Sequence, residues 1–402
     1  MPDFARIKQL AARPSVHAAF HWIELHQPTV RRWQSELTAI PAPPFAESAR
    51  AARVLALFRE LGLANPRLDE VGNVLADIPG VIPSPALLLS AHLDTVFPAG
   101  TDCTVRESDD ARLHAPGICD NGAGLAALLA IAAAMLHPHI SPARTITFCA
   151  NVGEEGEGNL RGMRHLFRAN HPYAAAIVLD GSGHDVVTRA LGSRRFRITL
   201  TGPGGHSWSD AGTPNPAHAL ARAIADLTAV PLPASPRTSL NVGRFESGLS
   251  VNAIPQSATA LLDTRSESPA ELARLEAALR SCVADAVTAA NQSSPQAQHN
   301  SAYALTSEIV LIGDRPSGSL PDDSPLLASL TAVDRHVGLR TETRLASTDA
   351  NIPLSLGIPA VSLGCGGESA GAHTLDEWFS PAGRDIALRR ILLLALDLAF
   401  SL

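Results

Sequence analysis

Hydrophobic and polar positions follow two different rhythms along this chain. In the first half, residues 74–78, 86–89, 145–150 and 175–179 are short, nearly continuous apolar runs. Such runs predict strands buried on both faces of a sheet. Residues 16–63, 122–136 and 160–168 carry helical patterns between and before them. The first helical region is broken at Ile40-Pro41-Ala42-Pro43-Pro44, where proline forbids helix interior and predicts a loop. Strands alternating with helices predict an α/β sheet with helices on both faces.

Near Gly192 the rhythm changes. Phe196, Ile198 and Leu200 alternate with Arg195, Arg197 and Thr199, the mark of a sheet with one wet face. The pattern then predicts a helix over 216–229, strands over 239–245 and 258–265, a helix over 269–289 and a strand over 308–312. That order, β-α-β-β-α-β, is a ferredoxin-like unit. Residues 291–296 read as a polar loop within it. From Gly313-Asp314-Arg315-Pro316 onward the α/β character returns. The expected organisation is an α/β domain over 1–191 and 313–402, interrupted by an inserted α+β domain over 192–312.

A length of 402 residues agrees with two domains. Hydrophobic residues make up 46% and charged residues 18%, the balance of a globular enzyme with a large core. The net charge of −7 and the lack of a long basic run argue against nucleic acid or an anionic membrane as partner. The first residues lack the apolar core of a signal peptide, and the most apolar stretch, 123–136, is too short to span a bilayer. Five cysteines without a Cys-x-x-Cys pair point to free thiols in a reducing cytoplasm. Cys119 and Cys365 read as small packing residues rather than ligands.

The chemistry concentrates at predicted strand ends and turns. Ser90-Ala91-His92-Leu93-Asp94-Thr95 places His92 and Asp94 on one face of an extended segment. A metal-ligating histidine usually needs a carboxylate to fix its ring. Asp120, the Glu154-Glu155 pair, Asp180 and His373 follow, each beside a turn residue or a strand end. Alone, Glu154-Glu155 would read as an acidic pair at a helix start. In series with the other motifs, the chain reads His, Asp, Glu, Asp, His. Five such ligands exceed one tetrahedral zinc ion but suit two ions when one carboxylate bridges. Two zinc ions carry about +4 against about −3 from three carboxylates, which a hydroxide would balance.

At this point the chain resembles the di-zinc exopeptidases that include tripeptide aminopeptidase, glutamate carboxypeptidases, carnosinases and aminoacylases. The resemblance runs from the Ile40-Pro44 segment to His373. It rests on the motifs above and on Gly117-Ile118-Cys119-Asp120-Asn121-Gly122-Ala123-Gly124, Gly202-Pro203-Gly204-Gly205-His206-Ser207, Asn252-Ala253-Ile254-Pro255, Thr348-Asp349-Ala350-Asn351 and Ala372-His373-Thr374. It implies a mixed-sheet α/β zinc exopeptidase catalytic domain with an inserted α+β ferredoxin-like lid and dimerisation domain. By resemblance, His92 and Asp180 hold one zinc, Glu155 and His373 the other, and Asp120 bridges them. Cobalt or manganese are possible substitutes, because N/O sites accept several metals. Asp94 would orient His92, and Glu154 would be the general base. Where the family usually has a lysine after the Asp-Asn pair, this chain has Gly122.

The same resemblance implies roles for the inserted domain. His206 would stabilise the oxyanion from the other subunit of a homodimer. Asn252 and Arg265 would hold a substrate carboxylate or backbone carbonyl. An aspartate at the fourth ligand, here Asp180, accompanies aminopeptidase and dipeptidase activity in the family. The expected substrate is therefore a short peptide cleaved at its N-terminus. The alternatives are a carboxypeptidase or N-acyl amino acid amidohydrolase, and, from another class, a catalytically silent dimeric binding protein.

Overall fold

The computed structural model describes residues 2–83 and 85–401. The chain forms two compact units, one from residues 1–190 and 319–402 and the other from residues 191–318.

Among the described residues, the first unit is built on a nine-stranded mixed sheet. Neighbouring strands run in the order Ala64–Leu68, Val74–Ile78, Ile146–Asn151, Ala86–His92, Tyr173–Leu179, Ala360–Leu363, Val186–Ala190 and Gly318–Ser319, with Thr343–Ala346 also pairing Val186–Ala190. Every residue of Ala86–His92 is buried, as the run Ala-Leu-Leu-Leu requires of a central strand. This strand is parallel to both neighbours, Ile146–Asn151 and Tyr173–Leu179. The carboxyl ends of all three therefore open on one edge of the sheet, where α/β proteins place their sites. The helix Gly122–Leu136 is almost wholly buried, which explains its lack of a polar face. Gly122 opens it at a crowded point: a Cβ there would collide with Thr38 Oγ1 and lie 2.9 Å from the Gly117 carbonyl oxygen. A lysine has no room at this position.

The second unit carries a four-stranded antiparallel sheet in the order Thr238–Ser247, Ser257–Ser266, Gly192–Thr201, Thr306–Arg315. With helices Pro216–Thr228 and Pro269–Gln292 this is the ferredoxin-like arrangement. Phe196, Ile198 and Leu200 face a separate core with Leu220, Leu279 and Val283.

The structure departs from the sequence expectation in several places. The inserted unit ends at Gly318 rather than at residue 312 and begins at Leu191. Gly313 is not a turn: it follows a register irregularity, and the strand continues to Arg315 opposite Ser193. Pro316, which has no N–H to give the ladder, ends it. The helix Pro2–Ala11, the edge strand Ala64–Leu68 and the strand Val186–Ala190 have no counterpart in the expected elements. The N-terminal helical region is split again between Leu25 and Gln27, and Pro295–His299 turns part of the expected polar loop into a short helix. Among the described residues, no helix is long and apolar enough to cross a membrane.

Candidate metal centre

The strand ends supply the first ligands. His92 closes its strand, directly opposite Asn151 on the neighbouring one. Asp180 follows Tyr173–Leu179, and its N–H donates to the Leu363 carbonyl at 3.0 Å. The Glu154-Glu155 pair lies just past Ile146–Asn151, and both residues are buried. Asp120 precedes the N-cap of the Gly122–Leu136 helix. That cap, Asn121, accepts from Gly124 N at 3.0 Å and donates Nδ2 to the Leu179 carbonyl at 2.9 Å. Asn121 thus ties the Asp120 loop to the strand end that bears Asp180.

The side chains converge on Asp120. His92 Nε2 lies 3.0 Å from Asp120 Oδ1, and His373 Nε2 lies 2.9 Å from Asp120 Oδ2. Each carboxylate oxygen therefore faces a different imidazole. Asp180 Oδ1 is 3.9 Å from His92 Nε2, and Glu155 Oε1 is 3.1 Å from His373 Nε2. Ligand atoms of His92, Asp120 and Glu155 all fall within 4.8 Å of one another. All five expected ligands meet in one place, divided between two imidazoles as a shared carboxylate demands. This set of nitrogen and oxygen donors fits divalent cations of the zinc, cobalt and manganese type.

Without a cation the cluster binds protons instead. Burial disfavours a charged His92 ring, but the Asp120 hydrogen bond and charge, with Asp94 and Asp180 behind, hold its pKa well above the ordinary imidazole value. The hydrogen bond to Asp120 leads in raising His373 to about 9. Burial and the charges of Glu154 and Asp120 push Glu155 up to about 8. Asp120 is held below the usual carboxylate range by both histidines, against the effect of its burial. Protons and metal ions answer the same excess of carboxylate.

Asp94 meets His92 through its main chain rather than through the expected carboxylate. His92 Nδ1 meets the Asp94 backbone carbonyl at 3.0 Å, while the nearer carboxylate oxygen is 3.7 Å away. The Asp94 carboxylate instead accepts from Glu154 N at 3.0 Å and Glu155 N at 2.7 Å. It orients the ring with its main chain and holds the Glu154-Glu155 loop with its side chain.

Two acidic residues escape sequence reasoning as parts of the centre. Glu377 is fully buried and accepts from three amides of the Asp120 loop. Asp349, also fully buried, accepts from Asn151 Nδ2 at 2.6 Å, and its Oδ1 has no hydrogen-bond partner. Burial and the Glu154 charge push its carboxyl up to about 8. Asp349 lies in a quoted motif, but only the fold sets it against Asn151, 198 positions away.

The remaining expected residues lie in the second unit. His206 and Asn252 are brought together there: His206 pairs with Ala253, and Ser207 N donates to the Asn252 carbonyl at 3.0 Å. His206 Nδ1 accepts from Trp208 N at 3.2 Å and Ser209 N at 3.4 Å. The imidazole proton is thereby placed on Nε2, which is free to act as a donor. Arg265 is not beside them. It stands opposite Ser193, near where the chain enters this unit, and pairs with Asp263 at 2.8 Å. The strand from Ser257 to Arg265 alone spans about 26 Å at roughly 3.3 Å per residue.

A cavity of about 710 Å³ opens in the first unit beside the loops of the centre, lined by Thr101, Asp102, Ala115, Pro116, Leu375 and Asp376 among others. A second cavity, of about 590 Å³, includes Tyr173 at the opposite end of the Asp180 strand and is separate from the centre.

Comparison with known proteins agrees with this geometry. The family model described as Peptidase family M20/M25/M40 matches residues 88–396. The chain is similar to a protein of Aspergillus terreus named "Probable carboxypeptidase", 29% identical over 205 residues, which are 48% of this chain and 47% of that protein. Its fold is similar to a tripeptidase of Staphylococcus aureus, with a TM-score of 0.75 and 21% identity over 92% of this chain and 98% of that one. It is similar also to YXEP of Bacillus subtilis, a dinuclear metal-binding peptidase, with a TM-score of 0.65 and 16% identity over 93% of this chain and 99% of that one.

Proposed function

Because the chain belongs to peptidase family M20/M25/M40, a family of metal-dependent hydrolases of peptide or amide bonds, we propose that it releases N-terminal residues from short peptides, with two zinc ions as cofactor and Glu154 as general base. The observation that carries this reading is the division of the Asp120 carboxylate between His92 and His373. His92 and Asp180 would hold one ion, Glu155 and His373 the other, and Asp120 both. When bound, such a pair supplies Lewis acidity to the scissile carbonyl and acidifies water.

The protein's own residues supply the rest. A Glu154 carboxylate oxygen takes the proton of the attacking water and passes it to the leaving amine. Asp94 keeps Glu154 in place through its backbone amide. His206 donates Nε2–H to the developing oxyanion. Asn252 and Arg265 hold backbone or carboxylate oxygens of the peptide. By family resemblance, His206 would come from the partner subunit. Trp208, Leu249 and Val251, near His206 and Asn252 in sequence, are 86%, 106% and 102% exposed, as unpartnered interface residues would be. A homodimer through the inserted unit is the arrangement these features support. The five cysteines, all free thiols, support a cytoplasmic location.

Asp180 as fourth ligand favours aminopeptidase chemistry by family resemblance. Similarity to a probable carboxypeptidase keeps a second reading, cleavage of C-terminal or N-acyl bonds, in view. Zinc-loaded protein should be screened against free, N-acetylated and C-amidated di- and tripeptides. The proposal expects acetylation to abolish cleavage, amidation to weaken it less, and EDTA to remove all activity. Efficient cleavage of acetylated substrates would replace it with the second reading. Tight peptide binding with no turnover in any metal form would leave a silent binding protein.

A further inference from the structure

Glu377 joins the two sequence-distant arms of the centre. It comes four positions after His373. Its Oε2 accepts from Gly117 N at 2.7 Å, and its Oε1 accepts from Cys119 N at 2.8 Å and Asp120 N at 2.9 Å. Its backbone carbonyl accepts from Ala115 N at 3.2 Å. One residue thus takes four amides from the six consecutive positions that end in Asp120. The segment after it continues the attachment, with Trp378 opposite His114 and Phe379 opposite Leu113.

The other arm needs such an anchor. His373 has a φ of 65°, a left-handed backbone that non-glycine residues seldom adopt. Its side chain is 55% exposed, and its turn is closed locally by Thr374 N and Oγ1 donating to the Gly371 carbonyl. An exposed, strained turn keeps its shape only when its ends are fixed. Glu377 is the buried end of that turn, and it is fixed to the loop that bears the other ligand.

We propose that Glu377 is a positioning residue that holds Asp120 and His373 in metal-binding register before any ion arrives. The proposal rests on the metal-centre reading above and adds to it a residue that touches neither metal nor substrate. Groups that orient ligands in this way typically govern metal affinity by roughly 10–100-fold. Without Glu377, the ion itself would have to order both arms, and binding would weaken accordingly.

Glu377→Gln keeps the size of the side chain but turns one acceptor into a donor. Amides approach both carboxylate oxygens, so one of them must then meet an NH₂ group. Calorimetric titration of chelator-treated, full-length protein with Zn²⁺ should show affinity reduced roughly 10–100-fold. At limiting metal kcat should fall with KM unchanged, and excess metal should restore it. Hydrogen exchange on metal-free wild type should find the Gly117, Cys119 and Asp120 amides protected, a measurement that stands even if the variant does not fold. Unchanged metal affinity in the variant, kcat that excess metal fails to restore, or unprotected amides in the wild type would overturn the role of Glu377. Wild-type protein that binds no metal would overturn the metal-centre reading with it.

Discussion

Around Asp120, buried acceptors grip the loops through their backbone amides. Around His206, a ribbon of two residue pairs leaves His206 and Ala253 exposed. Asp94 takes the amides of Glu154 and Glu155, and Glu377 takes those of Gly117, Cys119 and Asp120. The second region has no comparable burial: His206, Trp208 and Asn252 are all exposed. Preorganisation belongs where charge must be held at fixed geometry. The difference separates a region held by buried acceptors from one whose side chains stand exposed.

The largest expected effect lies in the buried region. Glu154→Gln should retain fold and metal while kcat falls roughly 10²–10⁴-fold. Glu155→Gln should instead loosen metal. Steady-state kinetics with metal analysis on both variants checks the assignment; equal metal loss in the two would mean the carboxylate roles are wrong.

His206→Ala tests the exposed region and should lower kcat by about 10²–10³-fold without changing metal content. The sharper form mixes two inactive proteins, Glu154→Gln and His206→Ala. If His206 acts across a two-fold interface, mixed dimers contain one site with both groups intact and recover activity. No recovery in verified mixed dimers would place His206 in its own subunit's site or outside the chemistry.

The smallest effect is thermodynamic. In the metal-free protein Glu155 is raised from 4.5 to about 8 and His373 from 6.5 to about 9. Over those ranges the folded chain keeps protons that the unfolded chain has released, so stability declines as pH rises. The decline runs from about 4.5 to 8 through Glu155 and from 6.5 to about 9 through His373. Asp120, held low, acts oppositely and only in acid. Melting of chelator-treated protein should drop by roughly a few degrees between pH 6.5 and 9, and zinc should flatten the profile. A rise over that interval would contradict the cluster electrostatics.

Much of this was legible in one dimension. Apolar runs located the strands that end at His92 and near Asp180, because burial on both faces leaves a continuous signature. Period-two alternation marked the sheet of the inserted unit. Ligand types beside turn residues marked the five groups that converge. Edges and ends were poorly legible: Ala64–Leu68 reads Ala-Asn-Pro-Arg-Leu, with little apolar character, since an edge strand buries little. Gly313 resembled a turn because an irregular strand and a turn use glycine alike.

By itself, then, the sequence determined which segments are buried, which chemistry is present and in what order the ligands occur, all of which depend on local composition and period. Only the tertiary structure decided what the acidic side chains do. Asp94 carries no local mark of its hold on the Glu154-Glu155 loop, and Asp349 and Glu377 carry none of their roles. Their roles come from the amides and side chains that meet them, 60, 198 and up to 260 positions away. A hydrogen bond of that span leaves no periodic trace, because only the folded backbone sets its partner and its distance.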